Sequence, residues 1–226
     1  MLRDEDPDFG RGGASAAASA HGRLAPGAGS VTTAYAAVLL VFHITPMDRA
    51  SHHPQLQALV FMGVSGCGKS TAAKACAAAL GWPMLEGDSY HSPASVAKMH
   101  AGTALTDEDR SGWLDRLAAL LAEAAAPDAA ERTAGLVLTC SALRKRYRDR
   151  LRQAQPQLGF VFLQLSQDEA LERVQSRPGH FFSPALVADQ FATLESPAGE
   201  PNVLTVDATA PIDAIVAQTV AWWRGV

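Results

Sequence analysis

Gly63-Val64-Ser65-Gly66-Cys67-Gly68-Lys69-Ser70 has the spacing G-x-x-x-x-G-K-S. Those residue types at that spacing suit the cradling of a polyphosphate. The glycines let the main chain curl until successive N–H groups converge on one anion. Thr71-Ala72-Ala73-Lys74-Ala75 continues as a helix, whose N-terminus adds the positive end of its dipole. Lys69 then reaches the β- and γ-phosphates, and the Ser70 hydroxyl ligates Mg²⁺. The nucleotide-binding set is Gly63, Val64, Ser65, Gly66, Cys67, Gly68, Lys69, Ser70 and Thr71. Cys67 stands beside a helix N-terminus and a lysine, both of which favour thiolate, so sensitivity to thiol oxidants is one expectation. The other is a small loop filler shielded by bound nucleotide.

Further candidates follow the predicted strand ends. Glu86-Gly87-Asp88 places two carboxylates one residue apart. Asp88 is expected to orient an acceptor hydroxyl and take its proton late, and Glu86 to reach the metal through water. His91 is a candidate polar contact to the acceptor. Arg110 falls in the first turn of a helix, where the dipole disfavours a cation; a residue set against local preference suggests an anion to bind. The run Arg144-Lys145-Arg146-Tyr147-Arg148-Asp149-Arg150 opens a helix after the third strand. Arg146 and Arg150 read as a solvated face, while Arg144 and Lys145 lie nearest the strand edge, with Arg144 the better grip on a carboxylate. No aspartate stands at the end of strand three, so metal ligation leans on Ser70 and the strand-two acids. Arg173 is placed against an adenine ring. Arg177, before Pro178-Gly179, could swing over the transferring phosphate from a helix–loop–helix lid.

The elements that must position these groups alternate from about residue 57 to the end. Strands are predicted at 58–62, 83–86, 135–140, 159–164 and 202–206, the third and fourth apolar on both faces as buried parallel strands are. Ser92-Pro93 and Ser183-Pro184 mark helix starts, and Ser166-x-x-Glu169 is a capping box. Trp113, Leu114, Leu117, Leu120 and Leu121 form one apolar stripe, and Ile212, Ile215, Val216, Val220 and Trp223 another. This predicts a doubly wound parallel α/β sheet with its ligand at the carboxyl edge. The net charge of −4 suggests no nucleic-acid partner. Three cysteines without tight spacing suggest a reducing cytoplasm. No apolar run reaches the ~20 residues of a membrane span. Residues 1–46 are rich in Ala, Gly and Ser and read as a disordered extension ahead of a domain at 47–226, with Met47 as a candidate physiological start.

Together these stretches resemble gluconokinase, the small sugar-acid kinase family with a phosphate-binding loop. The matching segments are Met62–Ser70, Glu86-Gly87-Asp88 with His91, Lys98-Met99, and Asp107–Arg110 with Trp113-Leu114. They continue through Cys140-Ser141-Ala142-Leu143, Tyr147-Arg148-Asp149 with Leu151-Arg152, Gly179-His180-Phe181-Phe182, and Gln190-Phe191 with Leu194-Glu195 and Pro197. The resemblance implies a P-loop NTPase fold like that of nucleoside monophosphate and shikimate kinases: three layers, sheet order 2-3-1-4-5 and a helical lid. It implies ATP-dependent phosphorylation of D-gluconate at its 6-hydroxyl, with Mg²⁺, in a cytoplasmic homodimer. Lys69, Asp88 and Arg177 would be catalytic, and Asp88, His91, Lys98, Arg110, Ser141, Arg144 and His180 would bind the acceptor. This chain departs from the family at Cys67, often serine, at Arg144, commonly lysine, and at Gly112, commonly proline. Another small-acid kinase, or a nucleotide-dependent switch, is the competing reading; the guanine signature N-K-x-D is absent.

Overall fold

The computed structural model describes residues 56–124, 135–176 and 185–225. The candidates Arg177 and His180, the helix start Ser183-Pro184 and the extension 1–46 lie outside them. Within them the chain runs β1 (Ala58–Met62), α1 (Lys69–Leu80), β2 (Met84–Glu86), a 3-10 turn (Gly87–Tyr90), α2 (Pro93–His100) and α3 (Asp107–Ala124). There follow β3 (Leu136–Thr139), α4 (Lys145–Ala154), β4 (Leu158–Gln164), α5 (Gln167–Gln175), α6 (Ala185–Thr193), β5 (Val203–Asp207) and α7 (Ile212–Gly225). All five predicted strands are present, with ends moved by a residue or so. The sheet is parallel in the order β2-β3-β1-β4-β5, as the resemblance implies.

β1 lies at the centre, hydrogen-bonded to β3 on one side and β4 on the other, and every residue in it is 0 % exposed. Alternate side chains of a strand point to opposite faces, so β1 feeds two separate cores. Leu59 and Phe61 pack with Ala72, Ala73, Cys76 and Ala77 of α1 and Ile215 of α7. Ala58, Val60 and Met62 pack with Trp113, Leu114, Leu117 and Leu121 of α3 and Tyr147 and Leu151 of α4. The α3 stripe is the predicted one, except that Leu120 sits at its margin. Gly112 faces open space, so the helix runs through it undisturbed. On α7, Thr219 is fully buried among the apolar positions and donates its hydroxyl to Ile215 O at 2.8 Å, which satisfies it inside the helix.

The caps read from sequence at Ser92 and Ser166 are formed. Ser92 Oγ accepts from Ser95 N with Pro93 in the first turn, and Ser166 and Glu169 exchange reciprocal bonds. A further reciprocal pair starts α3: Asp109 accepts from Thr106 N at 2.9 Å, and Thr106 Oγ1 accepts from Asp109 N at 3.3 Å. Each such cap stabilises by ~1 kcal/mol. They fix where the helices begin, and so where the sheet's carboxyl edge opens.

Candidate active site

At that edge β1 turns into the glycine loop. Gly66 has φ +84°, and a β-carbon there would lie 2.8 Å from Ala170 O of α5, so only glycine fits. Gly68 caps α1 in the left-handed region, leaving Gly68, Ser70 and Thr71 exposed at the helix N-terminus. Lys69 Nζ donates to the loop's own carbonyls, Gly63 O at 3.2 Å and Val64 O at 3.0 Å. Ser65 N donates to Gln190 Oε1 at 2.6 Å, which joins the loop to α6.

Of the two readings of Cys67, the structure supports the loop filler and not the thiolate. It is 1 % exposed, and burial pushes its thiol up against the lowering influence of Lys69. The helix dipole and the lysine are present, but loss of hydration outweighs them, and Cys67 fills space under Gly63 and Leu163. Cys140 is likewise buried and pushed up to about 12.

The strand-two acids are held from both sides. A β-carbon on Gly87 would fall 2.0 Å from Thr139 O, so the turn must carry glycine to lie this close to β3. Gly87 N donates to Thr139 Oγ1 at 3.0 Å, Thr139 Oγ1 donates to Glu86, and Trp113 Nε1 donates to Gly87 O at 2.8 Å. Asp88 therefore projects from a clamped turn, its side chain 57 % exposed. His91 stacks on Trp113 with ring centroids 4.2 Å apart and planes 15° apart. Its side chain is only 5 % exposed, Nε2 lies 4.0 Å from Asp88 Oδ1, and Nδ1 is buried without a hydrogen-bond partner among the described residues. Burial lowers the imidazole's pKa, Asp88 opposes that, and Arg110 and Arg116 add to it.

A cavity of 310 Å³ opens between these elements, the size of a small-ligand site. It collects Ser65 and Lys69 from the loop, Asp88 and His91 from the β2 turn, Arg110 from α3, and Ser141 and Arg144 from the turn after β3. Seven residues that the sequence singled out separately thus share one wall-to-wall space. Arg144 Nε is buried there without a partner among the described residues. Arg110 donates to Leu105 O and lies 6.0 Å from the Tyr147 ring centroid; neither Asp107 nor Asp109 holds it. Asp107 instead accepts from Tyr147 and Arg146.

Other candidates are placed elsewhere. Lys98 does not line the cavity; its ammonium is 2.7 Å from Asp109 Oδ1 and secures the start of α3. Lys145 pairs with Asp149 at 2.6 Å on the helix surface. Glu86 accepts from the Thr139 hydroxyl and does not line the cavity. Arg173 Nη2 donates to Ala208 O at 3.0 Å, beyond the end of β5. Arg146 and Arg150 are surface pairs with Asp107 and Asp115.

Sequence reasoning passed over Gln190 as a partner of the phosphate loop, together with Asp189 and Thr193 on the same cavity wall; no local pattern marks a loop's partner 125 residues away. It also passed over Arg148, which is 0 % exposed within a run of solvated cations. Helical spacing could have found it, because Arg148 lies beside Tyr147 and one turn from Leu151, both buried on the core face of α4.

Among the described residues no group of three or more His, Cys, Asp and Glu could hold a metal unaided, and no helix is long and apolar enough to cross a membrane. Ser70 and Glu86, the residues expected to serve Mg²⁺, carry oxygen donors of the hard kind which that ion takes.

A family described as an AAA domain matches residues 59–197. A gluconokinase from Gluconobacter oxydans is 41 % identical over 162 residues, 72 % of this chain and 88 % of that protein. The thermoresistant gluconokinase of Escherichia coli is 40 % identical over 163 residues, 71 % of this chain and 90 % of that protein. A crystal structure of a gluconokinase from Sinorhizobium meliloti 1021 superposes with a TM-score of 0.67 at 40 % identity, over 76 % of this chain and 93 % of that one. With its phosphate loop, its sheet order and this extent of likeness, the chain belongs to the gluconokinase family of kinases.

Proposed function

We propose that this protein transfers the γ-phosphoryl group of ATP to the 6-hydroxyl of D-gluconate, forming 6-phospho-D-gluconate and ADP. The observation that carries the reading is the single cavity in which a phosphate-loop lysine faces an acid, two arginines and a serine. A polyol bearing one carboxylate needs that combination: a cation for the acid end, hydrogen-bonding groups along the chain, and a base at the hydroxyl that reacts. Arg144, whose Nε has no partner among the described residues, binds the gluconate carboxylate with Arg110. Ser141 and neutral His91 meet its hydroxyls. Asp88 orients the reacting hydroxyl and accepts its proton as the new O–P bond forms and the bond to the β-phosphate oxygen breaks.

On the donor side, Lys69 exchanges the carbonyls of Gly63 and Val64 for phosphate oxygens and counters the charge that builds on them. The N–H groups of residues 63–71 hold the phosphates, and Arg173, secured by Ala208 O, lies against the adenine. Mg²⁺, held by Ser70 and reached through water by Glu86, would supply charge neutralisation between the β- and γ-phosphates. We extend the reading to a homodimer in the cytoplasm, which light scattering on the purified protein checks.

The test is ADP release with D-gluconate, other aldonates, shikimate and glycerate as acceptors. Gluconate should give the highest kcat/KM. Turnover with shikimate or glycerate but not gluconate would overturn the assignment, and ATP binding without turnover on any acceptor would make the protein a switch.

A further inference from the structure

Ser141 and Arg144 reach the cavity from a turn whose backbone is not self-supporting. Ala142, between them, has φ +44°, a conformation that a residue with a β-carbon keeps only when its surroundings impose it. The imposing group is Arg148. Its Nη1 donates to Ala142 O at 2.8 Å and Leu143 O at 3.1 Å, and its Nη2 to Glu195 O at 3.1 Å. Its Nε lies 3.0 and 3.1 Å from the two Glu200 oxygens. Glu195 completes the brace: its N–H donates to Leu143 O at 2.8 Å, and its carboxylate accepts from Lys145 N at 2.6 Å. At the other end of the turn, Gly63 N donates to Ser141 O at 3.3 Å.

A buried ion pair is a poor source of stability, since removing two charges from water offsets most of their attraction. What Arg148 supplies is direction. Its planar fork fixes two successive carbonyls of a strained turn, and a lysine has no fork to do so. We propose that Arg148, oriented by Glu200, is a positioning residue for the acceptor: it sets the pose of Ser141 and Arg144, and through them the selectivity for the length of the sugar acid. The inference rests on the reading that Ser141 and Arg144 bind the acceptor. It also makes residues 195–200, outside the cavity, part of the specificity apparatus.

The test measures KM for gluconate and for ATP separately, with Tm, in Arg148→Lys and Glu200→Gln. Trp223→Phe, which loses a bond to Leu56 O far from the turn, controls for general destabilisation. Arg148→Lys should raise the gluconate KM about tenfold, the scale of one charge-assisted hydrogen bond, and Glu200→Gln about threefold. Both should leave the ATP KM within about twofold and narrow the preference for gluconate over shorter aldonates. Trp223→Phe should lower Tm without changing either KM. Equal rises in both KM values, or a gluconate KM unmoved in both variants, overturn the proposal. Should Arg148→Lys not fold, Glu200→Gln decides by the same criterion. Arg144→Ala separates the two levels. If it leaves the gluconate KM unchanged, the acceptor assignment itself fails. If it raises that KM while the Arg148 and Glu200 variants do not, only the positioning role fails.

Discussion

The phosphate loop and the turn after β3 lie side by side, joined by one hydrogen bond between Gly63 and Ser141, yet they are built in opposite ways. Residues 63–70 form a site out of main chain: glycines at φ +139°, +84° and +91° shape the loop, and even Lys69 is parked on the loop's own carbonyls. The turn Cys140–Arg144 forms a site out of side chains. Its one left-handed residue is an alanine, and its shape comes from Arg148, Glu195 and Glu200. A polyphosphate presents the same oxygens to every enzyme, so a backbone nest serves it. A particular sugar acid has to be told from its neighbours, which takes side chains held at fixed angles.

The largest effect that would sharpen this contrast is expected at Lys69. Lys69→Met should lower kcat by about 10³-fold, roughly 4 kcal/mol of transition-state stabilisation, because no second cation in the loop replaces it. Retention of a tenth of the activity would break the picture of a donor site centred on that lysine. Asp88→Asn should cost about 10²-fold in kcat while ATP binding, measured by nucleotide titration, stays the same. Equal losses in both would move Asp88 to the donor side.

Gln190→Ala tests the seam between the two halves. Gln190 occupies the Ser65 N–H that a phosphate oxygen would use, so its removal should tighten ATP binding about fivefold, one net hydrogen bond of ~1 kcal/mol. Weaker binding would show that Gln190 instead holds the loop in its working shape.

The smallest effect concerns pH. Burial depresses the His91 pKa below its unfolded value. The unfolded chain then binds the extra proton first, so the stabilisation from neutral His91 is complete above about pH 6.5 and is lost as pH falls through the folded pKa. Tm should drop between pH 7 and pH 5 by more in the wild type than in His91→Gln. Parallel curves would place the titrating group elsewhere.

How far the sequence alone reached depends on the range of the forces involved. The glycine loop, the caps at Ser92 and Ser166, the strands and the two apolar stripes are consequences of residues within a turn or two of each other. Spacing therefore determined them, along with the parallel sheet. Asp88, Arg110 and Arg144 were legible as candidates because each stands at an element's end, where the sheet edge must be. The same local logic left two readings of Cys67 open, because its dipole and lysine are visible in sequence while the burial that favours the loop filler is not. The resemblance, not local logic, put Lys98 with the acceptor; here its ammonium pairs with Asp109 at the start of α3. Only the tertiary structure decided that Arg148 leaves its basic run to become the buried brace of the turn after β3, and that Gln190 closes on Ser65. Those contacts join residues about 50 to 125 positions apart, and what settles them is which groups lose their water together.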